Sequence, residues 1–357
     1  MAHAIALAKR GLHTTDPNPR VGCVLVKGGR VVGEGWHQRA GEPHAEVHAL
    51  NAAGADARAA TAYVSLEPCC HHGRTPPCSQ ALIQAGVVRV VAAMPDPNPR
   101  VTCRGFAELE HAGIRVDTGL LRAEAEGLNP GFISRMTRGR PYLRVKLAAS
   151  LDGRTALASG ESKWITGEPA RADVQRLRAR SSAILTGIGT VLADDPSLTV
   201  RDPDIGRQPL RVVLDTHLQM SPRARMLSLP GTTLVVTAAQ DVYATAALRA
   251  VGAEVLCVTG SEGAIDLKAL LQQLAAREVN ELLVEAGATL CGALIKAGLV
   301  DELIVYLAPH LLGDNGLGMF RLPGIETMTD RIAIDIQDIR ALGRDWRITA
   351  SVRNASP

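Results

Sequence analysis

The chain is 357 residues long, which excludes one small domain and leaves room for two or three compact units. Its 46% hydrophobic and 21% charged residues, with 34 Gly and 20 Pro, match ordinary globular proteins and exclude disordered, collagen-like and repeat classes. A net charge of +3 and a sparse set of three Phe, four Tyr and three Trp offer neither the basic footprint nor the stacking platform of a nucleic-acid binder, so the expected partners are small molecules.

Met1 to Arg10 reads as an amphipathic first helix, with Ile5 and Ala8 on one side and Lys9 and Arg10 on the other. In a signal peptide the basic pair would precede the apolar part, and here it follows. No run approaches about eighteen apolar residues, so no membrane partner is expected. Apolar strands then alternate with helical stretches: strands 21–26 and 31–35, helix 45–53, strand 62–66, helix 79–85 and strand 87–93. A helix near Glu108, a strand at 114–116 and a charged helix at 122–127 complete an α/β layered domain. The basic segment Arg135 to Pro141, with its Gly and Pro, is the expected linker. A second α/β rhythm follows, with strands 142–148, 183–186, 211–215, 233–237, 282–285 and 303–307, helices 168–180 and 289–297, and a loop from Ser150 to Ser162. The domains are therefore taken as 1–139 and 140–357.

The pentapeptide Asp16-Pro17-Asn18-Pro19-Arg20 recurs as Asp96-Pro97-Asn98-Pro99-Arg100. Each copy is a turn by composition. The two either line one pocket through Asn18 and Asn98 or merely reverse the chain.

Seven cysteines, at 23, 69, 70, 78, 103, 257 and 291, form no disulfide framework in a chain of this length, which fits a reducing cytoplasm. Three of them fall within ten residues, beside His71 and His72. His44, Cys69 and Cys78 supply the three N and S ligands that a zinc ion needs if one position is to stay open for water. A helix start also favours an ionised thiol. Glu46, two residues past the ligand His, can reach a water on the metal without binding the ion, an arrangement typical of zinc deaminases. The alternative is a closed structural site with Cys70, His71 or His72 as fourth ligand. The usual deaminase signature places two residues between its cysteines, whereas eight separate Cys69 from Cys78.

That stretch, Glu42 to Leu50 followed by Leu66 to Cys78, resembles the bifunctional riboflavin-biosynthesis deaminase/reductase family, in which the long spacing is the rule. The resemblance continues through Lys146 to Arg154, Ala193 to Pro196 and Val284 to Leu290, so it spans nearly the whole chain. It implies a three-layer α/β/α cytidine-deaminase-like domain followed by a dihydrofolate-reductase-like α/β domain. It implies one Zn2+ per chain, NADPH, a pyrimidine ribosyl phosphate as substrate and a homo-oligomer. Glu46 would be the proton shuttle, and Asn18, His37, His71, Arg74, Asp96 and Asn98 would hold the substrate. Arg74 stands where relatives often carry Lys, which keeps the charge and changes its geometry.

The second half has no Gly-x-Gly-x-x-Gly element, so a standard dinucleotide fold is not expected. Gly187 to Thr190 and Glu285 to Thr289 instead join apolar strands to helices, where a small residue lets a phosphate approach backbone N–H groups. By the family resemblance, Ala148, Trp164, Thr190, Asp194, Thr216 and Gly287 lie along the cofactor, and Ser162, Arg178, Leu198, Arg201 and Glu285 face the substrate. Arg178 and Arg201 suit a phosphate. Lys146, Asp194 and Glu285 are the candidates for proton transfer; Lys146 reads either as a tuned active-site amine or as a snorkelling surface residue. Two other functions compete with the family reading: a zinc deaminase for another nucleotide or nucleic-acid base, and a zinc-stabilised nucleotide sensor without turnover.

Overall fold

A computed structural model describes residues 1–70, 76–99, 101–201 and 206–353. Its contacts divide the chain into two units, Met1–Arg140 and Pro141–Pro357. In the first, α1 (Ala2–Ala8) leads to β1 (Gly22–Lys27), β2 (Arg30–Trp36), α2 (Ala45–Ala53), β3 (Thr61–Val64), α3 (Cys78–Gln84) and β4 (Arg89–Ala92). Then come α4 (Arg104–His111), β5 (Arg115–Thr118), α5 (Arg122–Leu128) and α6 (Pro130–Arg138). The sheet order is β2-β1-β3-β4-β5, antiparallel across β1 and parallel from β3 to β5.

Strand alternation makes the three layers. Cys23 and Leu25 of β1 pack with Ala45, Ala49, Leu82, Phe106 and Leu109, under α2, α3 and α4. Val24 and Val26 face the other way, onto α1, where Ile5 and Ala8 also meet Leu128 and Phe132. Contact between α2 and β2 is very close: a Cβ at Gly35 would lie 2.6 Å from the Ala45 carbonyl oxygen. Helix α2 therefore starts at a fixed height on the sheet, and His44 with it.

The expected linker is corrected. Residues 135–138 are the last turn of α6, which starts with Pro130 and stops at Gly139 in the left-handed region. Proline at the start and glycine just past the end are ordinary helix punctuation, so the basic run belongs to a helix.

The second unit runs β6 (Tyr142–Ser150), β7 (Arg154–Ala156), α7 (Glu168–Arg180), β8 (Ala183–Gly187), α8 (Ile188–Asp194), β9 (Leu210–Leu214) and β10 (Thr233–Thr237). It continues with α9 (Val242–Ala250), β11 (Glu254–Cys257), α10 (Leu267–Ala276), β12 (Glu281–Val284), α11 (Ala288–Lys296), β13 (Glu302–Ala308), β14 (Leu317–Gly318), β15 (Ile334–Leu342) and β16 (Asp345–Val352). The expected loop 150–162 thus contains β7, which pairs with β14. Nine strands form one sheet in the order β11-β10-β9-β8-β12-β6-β13-β16-β15. Every pair is parallel except the two made by β16. One face packs on α10 and α11, the other on α7 and α9.

Where β6, β12 and β13 begin, a buried ionic cluster joins them. Arg144 pairs with Glu281 and, at 2.7 Å, with Glu302, and Arg180 reaches Glu281 at 3.0 Å. The Arg144 and Glu281 side chains are 3% and 1% exposed. Lys146 and Glu285 lie further along these same strands or just past them, so the cluster sets their register. Glu281→Gln leaves two guanidinium groups facing one carboxylate in a dry interior. It should cost about 3–5 kcal/mol, read as an earlier denaturant midpoint of the second unit.

Candidate active sites

His44 is the extended residue before α2, and Cys78 is the first residue of α3. Two helix starts and the Cys69 turn therefore converge. The His44 Nδ1 lies 3.5 Å from Cys69 Sγ and 3.3 Å from Cys78 Sγ, and the three atoms fall within 4.8 Å of one another. A tetrahedral zinc ion with ordinary bond lengths spaces its ligand atoms about 3.5 Å apart, so the trio fits. A hydrogen bond from Cys78 holds the Cys69 thiol down to about 4, and the same bond pushes Cys78 up. Binding a dication there would displace the thiol protons.

Glu46, in the first turn of α2, is 3% exposed, and its Oε2 has no hydrogen-bond partner among the described residues. Burial pushes its carboxyl up to about 7. A purely structural metal site gives no reason to bury such a group.

His37 has both ring nitrogens engaged, Nδ1 at 3.1 Å from the Pro43 carbonyl and Nε2 at 3.1 Å from Asn18 Nδ2. Burial lowers its pKa, so the ring is neutral, donating from Nδ1 and accepting at Nε2. Its ring stands edge-on to His44, centroids 5.2 Å apart. The structure thus gives His37 the work of fixing Asn18 and the ligand imidazole. Arg20 closes the same turn: Asn129 accepts from its backbone N–H at 2.8 Å and donates to its carbonyl at 3.0 Å.

Asp96 and Asn98 occupy the second turn. Asp96 is 7% exposed and accepts from the Asn98 N–H at 2.8 Å, while burial pushes its carboxyl up to about 7. Sequence reasoning passed over Glu67, buried at 3% exposure, which accepts from four backbone N–H groups, those of Asp96, Cys103, Gly105 and Phe106. The signal was present as one acid just before Pro68-Cys69, with nothing in the sequence to say what it would meet. His71 and Arg74 lie outside the described residues, as does His72.

In the second unit the carboxyl ends of β6, β8, β9 and β12 form one edge, where parallel sheets bind ligands. Ala148, Thr216, Glu285 and Gly287 lie at this edge, and Thr190 is in the first turn of α8. Helix α11 begins at Gly287 with no side-chain cap and with open space where a Cβ would stand. Its free N–H groups fit an anionic group such as a cofactor phosphate. Trp164 is 69% exposed, under the Arg171 guanidinium at 4.7 Å from the ring centroid. Ser162 is half-buried nearby in sequence.

Arg178 of α7 grips Glu285 with two bonds, 2.6 and 3.0 Å, and donates to the Thr199 carbonyl at 3.1 Å. Arg178, expected to face the substrate, is thus paired with Glu285 in this structure. Lys146 is also buried, with Nζ 3.9 Å from Glu285 and 6.0 Å from the centre of the Tyr306 ring. Tyr306 in turn donates to Asp173 at 2.6 Å, which also pairs with Arg347. Desolvation lowers the Lys146 pKa. For Glu285, burial pushes the carboxyl up, but Arg178 and Lys146 outweigh it and hold it at about 2. Asp194 is not brought to this group; it ends α8 and lies 3.4 Å from Lys163. Leu198 is buried in the core at 3% exposure, and Arg201 is exposed.

Residues 1–94 match the family described as the cytidine and deoxycytidylate deaminase zinc-binding region, and residues 141–348 match the RibD C-terminal domain. The riboflavin biosynthesis protein RibD of Escherichia coli K12 is 53% identical, over 97% of this chain and 96% of its own. That of Haemophilus influenzae is 48% identical, over 98% and 95%. Among solved structures, Acinetobacter baumannii RibD superposes with a TM-score of 0.93 at 46% identity, covering 99% of this chain and 98% of the other. A Thermotoga maritima diaminohydroxyphosphoribosylaminopyrimidine deaminase/5-amino-6-(5-phosphoribosylamino)uracil reductase gives 0.87 at 33% identity, covering 99% and 97%.

Glu285 makes the second unit acid-sensitive. Its folded pKa of about 2 lies below the ordinary 4.5, so its stabilisation is full above about pH 4.5 and is lost as the pH falls through about 2. That contribution is about 3 kcal/mol. Unfolding midpoints measured between pH 6 and pH 2.5 should fall for the wild type, and Glu285→Gln should lose that part of the slope while starting lower at neutral pH.

Proposed function

The chain belongs to the bifunctional riboflavin-biosynthesis deaminase/reductase family, and on that premise we propose how its own residues divide the two reactions. The first unit would carry deamination and the second reduction. The first removes the 2-amino group of 2,5-diamino-6-ribosylamino-4(3H)-pyrimidinone 5′-phosphate. The second reduces the ribosyl group of the product to ribityl.

The observation that carries the deaminase reading is Glu46, a buried carboxylate with an unpartnered oxygen beside three clustered metal ligands. Zinc bound by His44, Cys69 and Cys78 supplies the Lewis acidity that activates a water. Glu46 takes a proton from the attacking water and delivers it to the leaving amino group, a task suited to an acid with a pKa near the working pH. Asn18, whose amide is oriented by His37, Asp96 and Asn98 hold the pyrimidine and ribose, together with His71 and Arg74.

On the reductase side NADPH supplies hydride for C1′ of the opened sugar. Ala148, Trp164, Thr190, Asp194, Thr216 and Gly287 would line it. Lys146 is the proton donor as the ribose ring opens, because desolvation makes its amine release a proton more readily than a surface lysine would. Glu285 stays ionised and aims that amine. With Arg178 neutralised by Glu285, Arg201 is the better candidate for the substrate phosphate; Ser162 and Leu198 complete the wall.

Among the described residues no helix is long and apolar enough to cross a membrane, and the free cysteines support a cytoplasmic enzyme. A second copy of the chain is the proposed partner of the β13-β16-β15 face. Ile334, Ile336, Ile339 and Trp346 are each about half exposed there, on adjacent strands in register with one another. The opposite face of the hairpin is charged and internally paired, through Asp335–Arg353, Asp338–Arg340 and Arg347–Asp173. A twofold contact buries the apolar patch twice, which brings it toward the roughly 1,200 Å² at which specific interfaces begin.

Purified enzyme given the diaminopyrimidine ribosyl phosphate should release ammonia without NADPH, then oxidise one NADPH per substrate once it is added. Glu46→Gln should keep zinc and lose ammonia release by a factor of at least about 10³, yet still oxidise NADPH with the deaminated compound. Zinc retained with deamination intact would instead favour a site without Glu46 chemistry. For assembly, light scattering should give a multiple of the chain mass, and Ile336→Asp with Ile339→Asp should reduce it to one chain; a monomeric wild type overturns the interface.

A further inference from the structure

Glu67 lies two residues before the metal ligand Cys69, and its surroundings are unusual for a buried acid. Oε2 accepts from the N–H groups of Asp96 and Cys103, both at 3.0 Å, and Oε1 from those of Gly105 at 3.0 Å and Phe106 at 3.4 Å. Four donors fill the acceptor sites of one carboxylate. Three of the four come from the start of α4, whose Cys103 cap position is left-handed (φ 59°) and offers no side-chain cap of its own. Glu67 thus caps α4 from a distant strand end, where a negative charge also meets the positive end of the helix.

The fourth donor, Asp96, reaches into the turn assigned above to the substrate. That turn is closed by Thr102, whose hydroxyl donates to the Asp96 carbonyl at 2.7 Å and the Asn98 carbonyl at 2.9 Å. Its far end is pressed onto the metal-ligand turn: a Cβ at Gly105 would lie 2.1 Å from the Pro68 carbonyl oxygen. The Glu67 N–H donates to the Met94 carbonyl at 3.0 Å, so the residue is held by its backbone as well. Both ends of segment 96–105 are therefore fixed to the residue that leads into Cys69.

We propose that Glu67 is a positioning residue for deamination, its carboxylate locking the loop that carries Asp96 and Asn98 at a fixed height above the metal ligands. This rests on the reading that Asp96 and Asn98 contact the substrate. Glu67 itself touches neither substrate nor metal; it acts through the backbone of the loop. Because a loop that holds the substrate away from the reacting atoms contributes equally to ground-state and transition-state binding, the signature is a change in KM with kcat much less affected.

The test is Glu67→Gln in the full-length zinc enzyme. The amide keeps the shape but turns an NH2 toward two backbone donors. The expected result is a KM for the diaminopyrimidine ribosyl phosphate raised about tenfold or more, kcat within about threefold, and one zinc per chain retained. Hydrogen exchange should quicken at the amides of Asp96, Cys103 and Gly105, and not in β1 or β3. An unchanged KM, or loss of zinc along with activity, overturns the proposal. If the variant does not fold, Thr102→Val probes the same loop from its exposed side: a several-fold rise in KM supports the lock and an unchanged KM overturns it. Asp96→Asn separates the two claims. If that variant keeps its KM while Glu67→Gln loses affinity, the substrate role of Asp96 fails, and the lock must act through Asn98.

Discussion

His44 Nδ1 lies within 3.5 Å of both the Cys69 and the Cys78 sulfur because two helices begin side by side. Much of the first unit follows from that arrangement. Helix α2 is set by backbone contact on β2, where Gly35 admits no side chain. Helix α3 starts at Cys78, and its N–H donates to Cys69 Sγ. Two thiolates this close in a dry interior would repel each other unless a cation sat between them, so the positions of the helix starts suit a dication. Glu46 then shares the site at no cost in ligands, because it lies two residues past His44 and is buried.

The two units tune their central acids in opposite directions. Glu46 is pushed up to about 7 by burial, a range in which a carboxyl can gain and lose a proton. Glu285 is somewhat more exposed, its side chain at 12%, and Arg178 and Lys146 hold it near 2, so it stays an anion. Environment separates a proton carrier from an electrostatic anchor built from the same side chain. The Glu285 carboxylate binds Arg178: two of the guanidinium nitrogens are bonded to Glu285 and a third to the Thr199 carbonyl, and Lys146 is the second cation beside Glu285 at 3.9 Å.

What could be read from the sequence followed the range of the forces involved. The grouping of His44, Cys69 and Cys78, with Glu46 beside it, was legible because zinc chemistry restricts residue types tightly even across 25 and 34 residues. The core strands β1, β3, β8, β9 and β10 were legible as apolar runs, since a strand covered on both faces must be apolar throughout. The hairpin β15-β16 was missed. Its sequence, Ile334 to Leu342, mixes isoleucines with Asp335, Asp338 and Arg340, and a bulge between Ile336 and Asp338 breaks the two-residue period that would have exposed it. Helices α9 and α10 and strand β11 were missed too, although Asp241 and Asp266 cap those helices in the ordinary way. In each case the reading rested on apolar runs and passed over the caps.

Glu67 was illegible for a deeper reason. Its four partners are backbone N–H groups, which carry no side-chain identity, and they lie about thirty to forty residues away in the chain. No composition or spacing rule marks such a bond. Yet an acid that satisfies only main-chain donors is well suited to hold an active-site loop, because its own bonds take up none of the loop's side chains. Asp96 gives its N–H to Glu67 and one carboxylate oxygen to the Asn98 N–H, so the Glu67 lock itself uses the side chain of neither residue. Main-chain anchoring separates the placing of the loop from the chemistry of its side chains, so either can change without dismantling the other.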